Sequence, residues 1–156
     1  MVKVFEGDPK GSGRRIGIIV SKFNEPVTGK LLEGALGSLK NCGVDERDIL
    51  VVKVPGAFEI PLAAHRLALS GKFDGLLCLG AVIQGETPHF EYISREVTRG
   101  VSRVMIESGI PVGFGVLTTE TSEQAVERAD PNGYNRGGEA ARVVLEMADL
   151  FKGFPA

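Results

Sequence analysis

The sequence predicts an α/β fold, a three-layer α/β/α sandwich around a four-stranded parallel sheet, in effect a shortened doubly wound arrangement. Three observations predict it. Short β-rich runs alternate with longer amphipathic stretches along the whole chain. The connections are long enough for the crossover helices that parallel neighbours require, and such crossovers are right-handed. The third β-rich run, 75–83, is continuously apolar, as befits a strand covered on both faces.

Each element follows from a local pattern. Ile16 to Val20 reads as the first buried strand, and Leu31, Leu32, Ala35, Leu36 and Leu39 then recur at helical spacing before Gly43. Ile49 to Val54 is the second strand, followed by a helix over 57–70 that stops at Gly71. After the third strand, Ile93, Val97, Val101 and Val104 make the apolar stripe of the clearest helix. Its charged face carries Glu91, Arg95, Arg99, Arg103 and Glu107, and Gly109 ends it. Val112 to Leu117 is the fourth strand. Thr121-Ser122-Glu123-Gln124 is a capping-box start for a short helix. Beyond the loop Asp130-Pro131-Asn132-Gly133, a last helix carries Ala140, Val143, Val144, Met147 and Leu150 on one face. Val2 to Phe5 is left over as a lone short strand. Such a strand needs a partner, which the edge of a neighbouring subunit's sheet would supply; the alternative is a frayed terminus.

Composition narrows the function. With 18 Lys and Arg against 20 Asp and Glu there is no basic excess, so nucleic acid is not expected as a partner. The N-terminus lacks the apolar core of a signal peptide, and the longest apolar run, broken by Gly80, is too short to span a membrane. A cytoplasmic location is expected. The two cysteines, Cys42 and Cys78, form no CxxC pair, and no metal-ligand spacing occurs, so neither a metal nor a cofactor is expected. Thr28-Gly29-Lys30 lacks the first glycine and the hydroxyl residue of a P-loop. With no linker or composition break, residues 1–156 read as one domain.

In open parallel sheets ligands bind outside the carboxyl ends of the strands. That rule selects Ser21-Lys22-Phe23-Asn24, Pro55-Gly56-Ala57-Phe58-Glu59, Gln84-Gly85-Glu86-Thr87-Pro88-His89 and Thr118-Thr119. They supply an aromatic face, a carboxylate, a glycine turn with a hydroxyl, and an imidazole. His89 is one of two histidines and can take and give a proton near neutrality, whereas His65 sits mid-helix without such placement. Pro88 is expected at the first helical position, where free backbone N–H groups attract anions such as phosphate; Thr87 can also cap its own helix, and the two readings are compatible because the hydroxyl and the N–H groups are separate donors.

The same segments carry a resemblance. Phe23-Asn24, Val54-Pro55-Gly56-Ala57-Phe58-Glu59-Ile60-Pro61, Leu79-Gly80-Ala81-Val82-Ile83-Gln84-Gly85-Glu86-Thr87-Pro88-His89-Phe90, Phe114-Gly115-Val116-Leu117-Thr118-Thr119 and Gln124-Ala125-Val126-Glu127-Arg128-Ala129 are similar to stretches of the 6,7-dimethyl-8-ribityllumazine synthase family. The likeness runs from about Val4 to Phe151. It implies a flavodoxin-like fold and a transferase of riboflavin biosynthesis. That enzyme condenses 5-amino-6-(D-ribitylamino)uracil with 3,4-dihydroxy-2-butanone 4-phosphate, releasing phosphate and water.

By residue-to-residue match, the resemblance implies that His89 transfers protons and Phe23 stacks on the pyrimidine. Ala57, Phe58 and Glu59 would line the pocket, with the Glu59 carboxylate accepting from ribityl hydroxyls. Backbone groups of Ala81, Val82 and Ile83 would hold the pyrimidine edge, and Glu86 and Thr87 would cradle the phosphate. Phe114 and Arg128 would come from the adjacent subunit. On the residues alone, Phe114 reads as a core strand residue and Arg128 as a solvated helix residue. Where the family usually has Gly-Asn-Lys-Gly, this chain has Tyr134-Asn135-Arg136-Gly137, so Arg136 stands in for a lysine with a different reach. The resemblance implies a pentamer and, with a loop at 130–135 free of insertion, a hollow capsid of sixty subunits, with riboflavin synthase as a partner enzyme. Two other readings share the fold. One is a riboflavin synthase of the related archaeal type. The other is a non-catalytic cage-forming or flavin-binding relative, which would have a damaged site, whereas Phe23, Glu59, Thr87, His89 and Arg128 are all present.

Overall fold

A computed structural model describes residues 1–155. The strands are β1 (Ile16–Ser21), β2 (Ile49–Val54), β3 (Gly75–Ile83) and β4 (Val112–Thr119). The helices are α1 (Glu25–Asn41), α2 (Ile60–Leu69), α3 (His89–Ser108), α4 (Ser122–Ala129) and α5 (Arg136–Lys152). The sheet is parallel throughout, in the order β2-β1-β3-β4. The chain therefore leaves β1 on one side to build β2, then crosses to the other side to build β3 and β4. The switch lies between β1 and β3.

Two apolar layers enclose the sheet. Ile16, Ile18, Val20, Leu77 and Leu79 face α1, α4 and α5, while Ile19, Leu76, Cys78, Val112 and Val116 face α2 and α3. Ile16, Ile18, Leu77 and Leu79 have no exposed surface, and burying each such side chain contributes about 1.5–3 kcal/mol. Glycine lets one helix come close: a side chain at Gly113 would lie 2.6 Å from the Ala140 carbonyl oxygen, so α5 can rest directly on β4.

Most predicted boundaries agree with the observed ones to within a residue or two. The Thr121 capping box forms in full, and Gly109 ends α3 in the left-handed region at φ 72°. Four differences have physical causes. The first turn of the expected 57–70 helix is a separate 3₁₀ turn, Ala57–Glu59, ahead of Pro61. Pro88 caps α3 from outside, and His89 is its first residue. Helix α5 buries Ala140, Ala141, Val144, Leu145 and Ala148, while Val143 stays exposed, and Gly137 lets its first turn lie against Leu31 of α1. Val2 to Phe5 pairs with no strand of its own chain, the partner expected for it being a neighbouring subunit's sheet edge. It lies exposed, with the Phe5 ring edge-on to Phe154 at 6.2 Å and the Asp8 amide donating to Asp149 at 2.8 Å.

Candidate active site

The turns after β1, β2 and β3 are laced together by main-chain bonds. Lys22 N donates to the Val54 carbonyl at 2.8 Å and Phe23 N to that of Pro55 at 3.1 Å. Asn24 takes a left-handed conformation (φ 63°), which asparagine tolerates better than most residues, and its side-chain amide reaches the Ala81 carbonyl at 3.5 Å. Gly80 makes room for the second turn. A side chain there would stand 2.9 Å from Ile60 Cδ1 and 3.1 Å from the buried Ser21 Oγ, itself without a hydrogen-bond partner among the described residues. The Phe23 ring is thereby turned outward, 69% exposed, at the mouth of the switch point.

A cleft of about 310 Å³ opens there, lined by Phe23, Pro55, Gly56, Ala57, Phe58, Glu59, Ala81, Val82, His89 and Ile93. It gathers the aromatic face, the carboxylate and the imidazole. The Glu59 carboxylate folds back over its own turn, its Oε1 3.3 Å from where a side chain on Gly56 would begin. Ile83, Glu86 and Thr87 do not line this cleft; Ile83 ends β3, and Glu86 and Thr87 stand exposed on the connection from it to His89. No side chain caps the start of α3. Thr87 is therefore not spent on its own helix, and the His89 and Phe90 N–H groups, ahead of the Glu91 N–H that donates to the Pro88 carbonyl, stay open to an outside acceptor.

Phe114, Arg128 and Arg136 lie elsewhere. They line a groove of about 910 Å³ along β4, between the end of α3 and α5, with Met105, Ile106, Val143 and Met147 among its apolar walls. Phe114 is 43% exposed, not a core residue, because β4 is an edge strand with no neighbour to cover it. Arg128 is half-buried and donates to the Gln124 carbonyl at 3.2 Å, rather than standing free in solvent. The expected residues thus fall into two sets on two surfaces of one chain.

Sequence reasoning gave no role to Ile93 or Asn24. Ile93 follows His89 by four residues on one helix, so the spacing already placed them side by side. Asn24 stood in the segment selected after β1, but its left-handed backbone appears only once the turn is built. Of the thiols, Cys42 is half-buried and Cys78 fully buried, and burial pushes the Cys78 thiol up to about 12. Among the described residues no group of three or more His, Cys, Asp or Glu could hold a metal ion, and no helix is long and apolar enough to cross a membrane.

The cleft at the switch point thus holds a solvent-facing ring, a carboxylate and a histidine. The family model described as 6,7-dimethyl-8-ribityllumazine synthase matches residues 13–152, all but the two ends. This chain belongs to the 6,7-dimethyl-8-ribityllumazine synthase family, transferases of riboflavin biosynthesis.

Proposed function

We propose that the chain condenses 5-amino-6-(D-ribitylamino)uracil with 3,4-dihydroxy-2-butanone 4-phosphate to 6,7-dimethyl-8-ribityllumazine, releasing phosphate and water. The observation that carries this reading is the convergence of Phe23, Glu59 and His89 on one cleft in a chain of this family. The reaction needs no protein nucleophile, because the pyrimidine's own amine attacks the ketone. Imine formation, loss of phosphate, tautomerisation, ring closure and dehydration follow, and most of these steps move protons. A histidine at the rim suits them, since one imidazole can accept and return a proton at working pH. Orientation of two bound molecules supplies the rest.

In this reading Phe23 stacks on the pyrimidine, and Glu59 accepts hydrogen bonds from the ribityl chain. Ala57 and Phe58 wall the pocket. The main chain of Ala81, Val82 and Ile83 holds the pyrimidine edge. Glu86, through its backbone, and Thr87 receive the phosphate beside the uncapped start of α3. Phe114, Arg128 and Arg136 serve a neighbouring copy. Their place on the β4 groove, away from the His89 cleft, supports a site completed between subunits. A heterologous contact of that kind closes into a ring, here a pentamer, and twelve rings into a capsid. The exposed, unpaired Val2–Phe5 segment supports its addition to a neighbour's sheet edge.

The test is to mix purified protein with both substrates, follow the lumazine chromophore, and measure particle mass on the same sample. Lumazine from the two substrates is expected, on a particle of five subunits or a multiple. Riboflavin formed from two lumazines would favour the archaeal-type alternative, and absence of any product would remove the enzymatic reading.

A further inference from the structure

Tyr134 occupies the corner between α4 and α5, and two cations share its ring. The guanidinium carbon of Arg128 lies 5.7 Å from the ring centroid and that of Arg136 5.6 Å. Each arginine has one further anchor: Arg128 on the Gln124 carbonyl, and Arg136 on Glu139 Oε2 at 2.6 Å. The corner itself is fixed. Asn135 adopts a left-handed conformation (φ 49°) and accepts from Gly138 N at 3.3 Å, and any side chain at Gly34 of α1 would collide with its Oδ1. The backbone beneath the two arginines is therefore set, and what is left free is their long side chains, which carry much rotamer freedom. Both guanidiniums lie within cation–π reach of the Tyr134 ring, whose negative face offsets the repulsion between like charges.

Arg128 and Arg136 line the β4 groove, whereas Tyr134 does not, so anything Tyr134 does for a ligand there it does through the two arginines. One carboxylate, Glu139, is paired with Arg136, and Arg128 has no carboxylate partner among the described residues, which leaves positive charge for an anion. We propose that Tyr134 is a positioning residue that holds Arg128 and Arg136 as a single phosphate-binding pair. Under the proposed function the ligand is the phosphate group of the butanone phosphate. That identity rests on the reading above, whereas the anion site does not.

The experiment compares the wild-type assembly with Y134L and Y134F. Calorimetric titration with inorganic phosphate reads the arginine pair directly, and steady-state kinetics gives the KM of each substrate separately. Y134L is expected to weaken phosphate binding, and to raise the KM of the phosphate substrate, about fivefold, the scale of one exposed cation–π contact. The KM of the pyrimidine and kcat are expected to stay within about a factor of two, because the anion contact holds the ground state and the transition state alike. Y134F is expected to restore phosphate affinity, since the cations use the ring and not the hydroxyl. Unchanged phosphate binding in Y134L overturns the proposal. Equal losses for both substrates, or a Y134F as weak as Y134L, do so too, and so does a wild-type assembly that binds no phosphate. Phosphate binding that follows the expected pattern in a protein that makes no lumazine would uphold the positioning role and overturn only the reaction.

Discussion

At the residue scale, chemistry and reactivity are set by where a side chain stands rather than by what it is. His89 and His65 are the same group, yet His89 begins α3 at the rim of the switch-point cleft while His65 lies within α2, outside it. Replacing His89 by alanine is expected to slow lumazine formation about 10²-fold or more, the usual contribution of a positioned acid–base group. Particle mass should not change, and normal turnover in this variant would take His89 out of the mechanism. The cysteines differ in the same way. Cys78 is buried with its thiol pushed up to about 12, so almost no thiolate forms at neutral pH, whereas Cys42 is partly open. An alkylating reagent is expected to modify Cys42 in the native protein and both thiols in denaturant. Rapid native labelling of Cys78, read by mass spectrometry of peptides, would contradict that.

At the element scale, the fold depends on α1 and α5 lying unusually close. A side chain at Gly137 would collide with the Leu31 carbonyl oxygen, backbone against backbone, so neither helix can yield cheaply. Gly137→Ala is expected to destabilise the protein by about 1–3 kcal/mol, the usual cost of overpacking. Gly37, on the exposed side of α1, has nothing within 4 Å of a side-chain position. Gly37→Ala is expected to stabilise by about 0.5–1 kcal/mol through helix propensity. Chemical denaturation of both variants checks the pair, and the opposite signs separate packing from propensity. Charge also ties elements together. Asp74, just before β3, accepts from the Arg15 amide at 2.8 Å and faces its guanidinium at 3.4 Å. Burial alone would raise this carboxyl, but the hydrogen bonds and charge from Arg15 outweigh it and hold the carboxyl below its usual value of 3.8. A carboxyl lowered in the folded state adds stability above its unfolded value and loses that contribution as pH falls through the folded one. Asp74→Asn should therefore flatten the acid-side fall of Tm, measured between about pH 2 and pH 6. An unaltered Tm profile would show that the contact adds nothing.

At the scale of the whole molecule, the two sets of expected site residues face different surfaces, which makes the proposed shared site open to a direct test. His89→Ala and Arg128→Ala subunits are each expected to be weak alone. When co-assembled in equal amounts, about a quarter of the clefts would combine an intact His89 with an intact Arg128 from the next chain, by random placement around a closed ring. Lumazine formation should recover to about that fraction. No recovery, with mixed particles verified by mass, would mean that each chain works within itself.

What the sequence alone determined was the architecture and one of the two surfaces. Strand–helix alternation, the apolar run at 75–83 and the capping box at Thr121 are local patterns, and local geometry turns them into elements without help from distant residues. The carboxyl-end rule then brought Phe23, Glu59 and His89 together, because parallel strands must all end on one side. Tertiary structure decided the rest. The side of α5 that is buried, the exposure of Phe114, the groove along β4 and the pairing of two arginines on Tyr134 depend on which strand lies at the edge and how near two helices approach. Strand order and helix separation are settled by contacts between residues far apart in the chain, and no local periodicity encodes them.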